Sequence, residues 1–419
     1  MGEYVALRDK DPFEVAGEPN WWVRTFRPLG PGSLRASILS LSSNAIGAGL
    51  LSVAYAVKLS GILLGTIFLV LGAVIFAFYY RIMTKAHDQV RVYTYVGMVK
   101  AMFGETWRRV LEICLTGLLF GILCAFQVIF SQYILDIAGI FYDLNGNYEF
   151  YRRLIILGVS LGVLTPLVIP KQLTSIRYAS SICIIAILYI AVVLVVQLPF
   201  YLSHEVPEVY LFKVQGGTVD SLTLTIFAYT AMTGMPIVYQ ELQNRSYKRM
   251  TKVIDRSMGL SAILYICIGT VGYISLGETT PELITDRFYV FGGVDWYMIV
   301  AKFLIAVTLI AGVAINMNPL RIGVQQMFLG VQYAHNDFYF YLITYLALYT
   351  STGIAILIPS AIKYFKFLGG LFVIPSSLLL PGMIYFKLET NPLKRFFMAL
   401  LSLLLGLIGL YSAFSTLVS

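Results

Sequence analysis

The sequence predicts an all-α integral membrane protein. Three observations carry this reading. Hydrophobic residues make up 58% of the chain, charged residues only 12%, and long apolar runs follow one another almost from end to end. A soluble domain is about 25% charged, and an apolar run of about 18 residues or more reads as a transmembrane helix. Eleven spans can be laid out, over residues 34–57, 61–83, 110–138, 153–170, 176–200, 219–240, 256–276, 296–317, 338–360, 367–387 and 395–417. The loops between them are short and leave no room for a soluble catalytic domain.

The net charge of +8 invites a nucleic-acid reading, but its distribution argues for a membrane. With the N-terminus inside (cytoplasm or mitochondrial matrix), 22 of the 30 Lys and Arg residues fall on inner segments and 7 on outer ones, with Lys302 inside a span. Inner loops of membrane proteins carry this excess of cations, so the C-terminus is expected outside. Cys114, Cys124, Cys183 and Cys267 all fall in apolar spans and are expected as small buried packing residues without disulfides.

Residues 1–32 form an N-terminal arm on the inner side. Residues 1–30 have no apolar core and carry acidic residues, so a cleavable signal peptide is not expected there. Ala6 stands where myristoylation requires Ser or Thr. Trp21, Trp22, Arg24 and Arg27 have the mix of an interfacial anchor. In the inner connection 84–108, the stretch from Thr94 to Phe103 is expected to lie along the interface as an amphipathic helix ended by Gly104.

Two spans are interrupted. Leu41 to Leu51 contains Gly47-Ala48-Gly49, and Phe227 to Pro236 contains Gly234 and Pro236. Hydrocarbon cannot satisfy unwound backbone, so such a segment lines a cavity or packs on protein. A pair of interrupted spans in corresponding halves of a chain points to a transporter site near the bilayer midplane. Half-helix N-termini and free N–H groups stabilise the carboxylate of an amino acid without a full positive charge. Ile46, Gly47, Ala48 and Gly49 are therefore candidate substrate-binding residues. A small-residue helix-packing face is the other reading of the same pattern.

Four blocks, in order and on these spans, are similar to the amino acid/auxin permease superfamily, in particular its sodium-coupled neutral amino acid transporters. Ser42 to Ala56 resembles the first-helix signature, and Tyr93 to Gly104 the inner-loop pattern. Phe227 to Asn244 resembles the sixth helix, and Leu368 to Lys387 the tenth. The similarity covers about Ser33 to Ser419. It implies the inverted 5+5 repeat of LeuT-type transporters within a transporter domain over 33–419. The repeats would cover about 34–200 and 219–387, with an extra helix at 395–417.

The resemblance also implies site residues. Phe227, Tyr229 and Thr230 would precede the second break and face the substrate, with aromatic packing as the plain alternative. Ser43, Asn44 and Thr308 are ion-coupling candidates. A Thr in a membrane helix also commonly bonds its own backbone. The family's sodium-binding Asn lies four residues before the first Gly. Here that position is Ser43, and Asn44 follows it. One residue turns a helical side chain by about 100°, which leaves proton and sodium coupling both open. Gly234, Pro236 and Glu241 are gate or structural residues, Glu241 being expected to pair with an inner Arg or Lys. Lys302 lies near a span end and is expected to snorkel to the interface.

An enzyme is not indicated. His87, His204 and His335 are far apart, and there is no His-Glu-x-x-His, zinc-spaced Cys pair or phosphate-binding Gly loop. A channel would need filter repeats or charged rings, and neither is present. The expected function is secondary active transport of amino acids by alternating access, driven by a proton or sodium gradient. No cofactor is expected beyond that ion; the expected partners are the bilayer and the amino acid, with no nucleic acid. The family resides in plasma and vacuolar or lysosomal membranes. The rival reading is a transport-silent subunit of a larger complex, such as a respiratory assembly in the mitochondrial inner membrane, which engages the N-terminal arm.

Overall fold

A computed structural model describes residues 30, 32–142, 147–170, 179–204, 207–287, 293–328 and 337–418. The N-terminal arm with its Trp21-Trp22 anchor, and His335, lie outside the described residues. The helices are α1 (Leu34–Ile46), α2 (Val53–Ser60), α3 (Ile62–Val90), α4 (Tyr95–Phe103), α5 (Glu105–Ala138), α6 (Tyr148–Val168) and α7 (Ala179–His204). They continue as α8 (Gly217–Ala228), α9 (Gly234–Glu241), α10 (Tyr247–Leu276), α11 (Trp296–Phe328), α12 (Asp337–Leu357), α13 (Ala361–Leu388) and α14 (Pro392–Val418).

Among the described residues, nine helices are long and apolar enough to cross a bilayer, and α1 with α2 makes a tenth span bent by 52°. The count of eleven is not reached. The expected span 219–240 is divided into α8, of 12 residues, and α9, of 8, and a crossing needs about 20. Conversely α5 runs for 34 residues, about 51 Å at 1.5 Å per residue, and so outruns the hydrocarbon core of about 30 Å.

Local chemistry sets many of the ends. Ser33, Thr94, Ser246 and Ser360 cap α1, α4, α10 and α13 by accepting from backbone N–H groups of the first turn, as short hydroxyl side chains do. The helix expected between Thr94 and Gly104 is α4, and Gly104 ends it at φ 87°, a conformation that favours glycine. Tyr95 at the start of α4 donates to the Ser376 carbonyl of α13, where the helix widens into π turns over Gly369–Val373 and Pro375–Leu379.

The core follows the helices that lose most surface. The most apolar windows of α5 and α13 are 67% buried, whereas those of α6 and α14 are 28% buried. A fully buried polar knot ties α5 to α6 and α12. Gln127 donates to Ser351 Oγ at 2.8 Å and accepts from Ser160 and Thr352 at 3.1 and 2.9 Å. Such bonds hold membrane helices together where water cannot compete. The four cysteines are free thiols.

Candidate functional site

A cavity of about 220 Å³ lies between the two breaks and is closed on its other sides by α5, α7 and α11. Pockets for drug-sized ligands run to about 300–1,000 Å³, so this one suits a small solute. Among the described residues no charged side chain lines it. The polar groups are Ser43, Asn44, Thr230, Thr233, Thr308 and Asn316, set in an apolar wall that includes Leu118, Ile122, Phe126 and Ile187.

Both glycines of the first break line the cavity, and Gly49 also makes a tight packing contact. Gly47 lines the cavity, and a Cβ there would meet nothing within 4 Å. Gly49 packs on the second broken span, where a Cβ would lie 2.6 Å from the Ala228 Cα. Between α1 and α2 the chain makes a 3-10 turn over Ala48–Ser52. Ile46 is buried and does not line the cavity. Ala48 belongs to the turn backbone.

The second break lies earlier than the glycine and proline suggest. α8 ends at Ala228 and α9 begins at Gly234, so Tyr229 and Thr230 are in the break rather than before it. Gly234 and Pro236 belong to the first turn of α9, where an N–H has no intrahelical partner and proline costs little. Gly234 also fits tightly under Asn44, whose side chain would lie 2.6 Å from an added Cβ.

The structure sorts the expected binding residues. Phe227 and Thr230 line the cavity, and the Phe227 ring stacks on Phe365 of α13 with centroids 4.7 Å apart. Tyr229 does not face the cavity. Its ring is fully buried, edge-on to Tyr265 at 4.9 Å, because the backbone turns between residues 227 and 230. Ser43, Asn44 and Thr308 are all brought to the cavity. Ser43 and Asn44 both donate to the Ser40 carbonyl, at 3.0 and 2.9 Å, and Thr308 to Ile305 at 2.8 Å. The single hydroxyl protons of Ser43 and Thr308 are thus spent on the helix and leave oxygen lone pairs, while Asn44 keeps a second amide N–H and its Oδ1.

Two expectations about charges are corrected. Lys302 does not snorkel. Only 12% of its side chain is exposed, and it pairs with Asp136 of α5 and, at 3.4 Å, with Asp286 of the loop after α10. Those carboxylates come from distant sequence, so no local pattern announces them. Glu241 has no ion pair among the described residues. Its neighbours are the ones engaged: Tyr239 donates to Asp88 at 2.5 Å, Gln240 donates to the Tyr93 carbonyl at 2.8 Å, and Arg245 stacks 3.8 Å over the Tyr93 ring.

Thr233 and Asn316 were not singled out in the sequence. Asn316 carried a usable signal. It is an amide inside an apolar span, and it stands two helical turns from Thr308 on the same face.

Two interrupted spans packed against each other round a small cavity define the class: a membrane protein of the broken-helix, inverted-repeat fold. Solved structures agree on the fold. MhsT in complex with L-phenylalanine is 13% identical, with a TM-score of 0.53 over 91% of this chain and 98% of that one. An Eremococcus coleocola manganese transporter is 11% identical, with a TM-score of 0.55 over 96% and 89%. Residues 30–419 match the family described as transmembrane amino acid transporter protein, and the chain belongs to that family.

The relatives are named as transporters, not enzymes. Vacuolar amino acid transporter 6 of Saccharomyces cerevisiae is 26% identical over 267 residues, which are 59% of this chain and 56% of that protein. Vacuolar amino acid transporter 5 of Schizosaccharomyces pombe is 25% identical over 369 residues, 85% of each chain. Sodium-coupled neutral amino acid symporter 2 of Danio rerio is 21% identical over 387 residues, 86% of this chain and 76% of that protein. Against vacuolar transporter 6, and against a Toxoplasma gondii relative of which it covers 41%, this chain spans about half the relative's length.

Proposed function

We propose that this chain is a secondary active carrier of net-neutral amino acids, working by alternating access and driven by a cation gradient. The observation that carries the reading is the cavity between the breaks. Among the described residues its wall offers backbone and hydroxyl or amide groups but no side-chain charge, which suits a zwitterion whose own charges cancel. Unwound backbone at both breaks supplies N–H groups for the carboxylate and C=O groups for the ammonium. The apolar wall from α5 and α7 suits an apolar side chain. The names of relatives that carry amino acids support the substrate class.

The driving cation is proton or sodium. Hydroxyls of Ser43 and Thr308 that donate inward leave oxygen lone pairs turned toward the cavity side, as an oxygen ligand to a hard cation requires. The excess of Lys and Arg on alternate segments supports an N-terminus on the cytoplasmic side, and the yeast relatives' names favour a vacuolar-type membrane. The rival reading, a transport-silent subunit docked through the N-terminal arm, has no support from the cavity.

The test is uptake of a labelled amino-acid mixture into proteoliposomes under imposed sodium or proton gradients, with Gly47→Trp as the blocked control. Saturable uptake under one gradient, lost in Gly47→Trp, is expected. Folded protein that takes up nothing under either gradient would overturn the carrier reading and favour the subunit.

A further inference from the structure

Two buried tyrosines attend to the broken spans. Tyr80 of α3 donates to the Tyr229 carbonyl at 3.1 Å and accepts from the Ala231 N–H at 2.7 Å. Both of those groups lie in the second break. The Tyr265 hydroxyl of α10 is 2.8 Å from the Ala45 carbonyl and 2.7 Å from the Ala228 carbonyl, at the ends of α1 and α8. Both tyrosines are fully buried. They also match in position. Each stands equally far along its helix from the first residue, Ile62 in α3 and Tyr247 in α10, and these two helices follow the two broken spans in the two halves of the chain.

We propose that Tyr80 and Tyr265 are a matched pair of positioning residues that hold the unwound backbone of both breaks in register; the part this plays in transport rests on the carrier reading above. An unwound segment in a bilayer has polar groups that lipid cannot satisfy, and a buried carbonyl or N–H without a partner is costly. The Tyr80 hydroxyl satisfies one acceptor and one donor of the second break at once. The Tyr265 hydroxyl has a single hydrogen and two carbonyls in reach, one from each broken span. It bonds one at a time while holding both close, so the ends of α1 and α8 share one donor and stay together. The cavity wall between them is thereby set before a solute arrives, which lowers the ordering cost of binding. Neither tyrosine touches the cavity itself, so each acts through the backbone.

The experiment uses the full chain with Tyr80→Phe, Tyr265→Phe and, as a control, Tyr133→Phe. All three keep the ring. The control removes a buried hydroxyl that bonds Thr285 at 2.6 Å rather than the backbone of either break. Amide exchange in nanodiscs is read over residues 226–236, and uptake kinetics in proteoliposomes use the amino acid carried best from a labelled mixture. Tyr80→Phe is expected to speed exchange in that segment, because the Ala231 N–H loses its acceptor, while Tyr133→Phe leaves it unchanged. Tyr265→Phe is expected to raise KM about tenfold, the loss of about one buried hydrogen bond, with a smaller change in the maximal rate. Unchanged exchange in Tyr80→Phe, or a KM in Tyr265→Phe no higher than in Tyr133→Phe, would overturn the proposal. Faster exchange in a protein that shows no uptake even as wild type would uphold the backbone role and overturn the carrier reading alone.

Discussion

Gly47 and Gly49 stand two residues apart in one turn, yet they should respond oppositely to the same methyl group. At Gly49 a Cβ would lie 2.6 Å from the Ala228 Cα, 3.0 Å from its Cβ and 3.3 Å from its N. Two of those atoms are backbone of α8 and cannot swing aside, so α1–α2 and α8 must move apart. Forcing an extra methyl into packed surroundings costs about 1–3 kcal/mol, and Gly49→Ala should lie in that range. At Gly47 the same methyl meets nothing within 4 Å, so Gly47→Ala should stay within about 0.5 kcal/mol of wild type, as substitutions away from tight features do. Thermal unfolding can be followed with a thiol-reactive dye, because Cys114 and Cys124 are buried and become reactive only on unfolding. The reasoning fails if the two variants melt alike, or if Gly49→Ala is as stable as wild type.

Other consequences follow from the same packing. Gln127→Leu removes three hydrogen bonds joining α5, α6 and α12. At about 0.6 kcal/mol for an average interhelical bond in a membrane, it should cost about 2 kcal/mol, measured by the same dye assay; an unchanged midpoint would show that the knot adds nothing. Asp286 offers a pH test. Close packing round its carboxyl raises it from the usual range to about 6, with Lys302 pulling the other way and Asp136 adding to the rise. The folded state therefore holds this proton more tightly than the unfolded chain. Its stabilising contribution is complete below about pH 4 and is lost as the pH rises through about 6. Solvent reaches 32% of that side chain, which tempers the size but not the sign. Asp286→Asn should flatten the fall in melting temperature between pH 4 and 7, and an unaltered profile would assign that fall elsewhere.

How much was legible in the sequence depends on the range of the interactions. Most span positions, the α4 helix and the first break follow from local composition, capping residues and glycine, and these are where sequence and structure agree; the expected span 219–240 is the exception. The second break was placed at Gly234 and Pro236, but proline is at ease in a first helical turn, so the pair marks where α9 starts. Phe227 and Thr230 reach the cavity while Tyr229 turns away, because the chain still turns like a helix at the end of α8, where residues three apart share a face and residues two apart do not. The Lys302 partners, the Gln127 knot and the two tyrosines that brace the breaks depend on residues from other helices. A tyrosine in an apolar span carries no mark of the carbonyl it will meet.

The central claim is that the cavity between the two breaks is where the amino acid sits. Equilibrium binding of labelled neutral amino acids to the purified chain tests it most directly, comparing wild type, Gly47→Ala and Gly47→Trp at matched folded fractions. The indole of Gly47→Trp would enter a space of about 220 Å³. Saturable binding by wild type that is abolished in Gly47→Trp, with the melting transition intact, is the predicted result. Binding that persists unchanged in Gly47→Trp would place the site elsewhere and contradict the account.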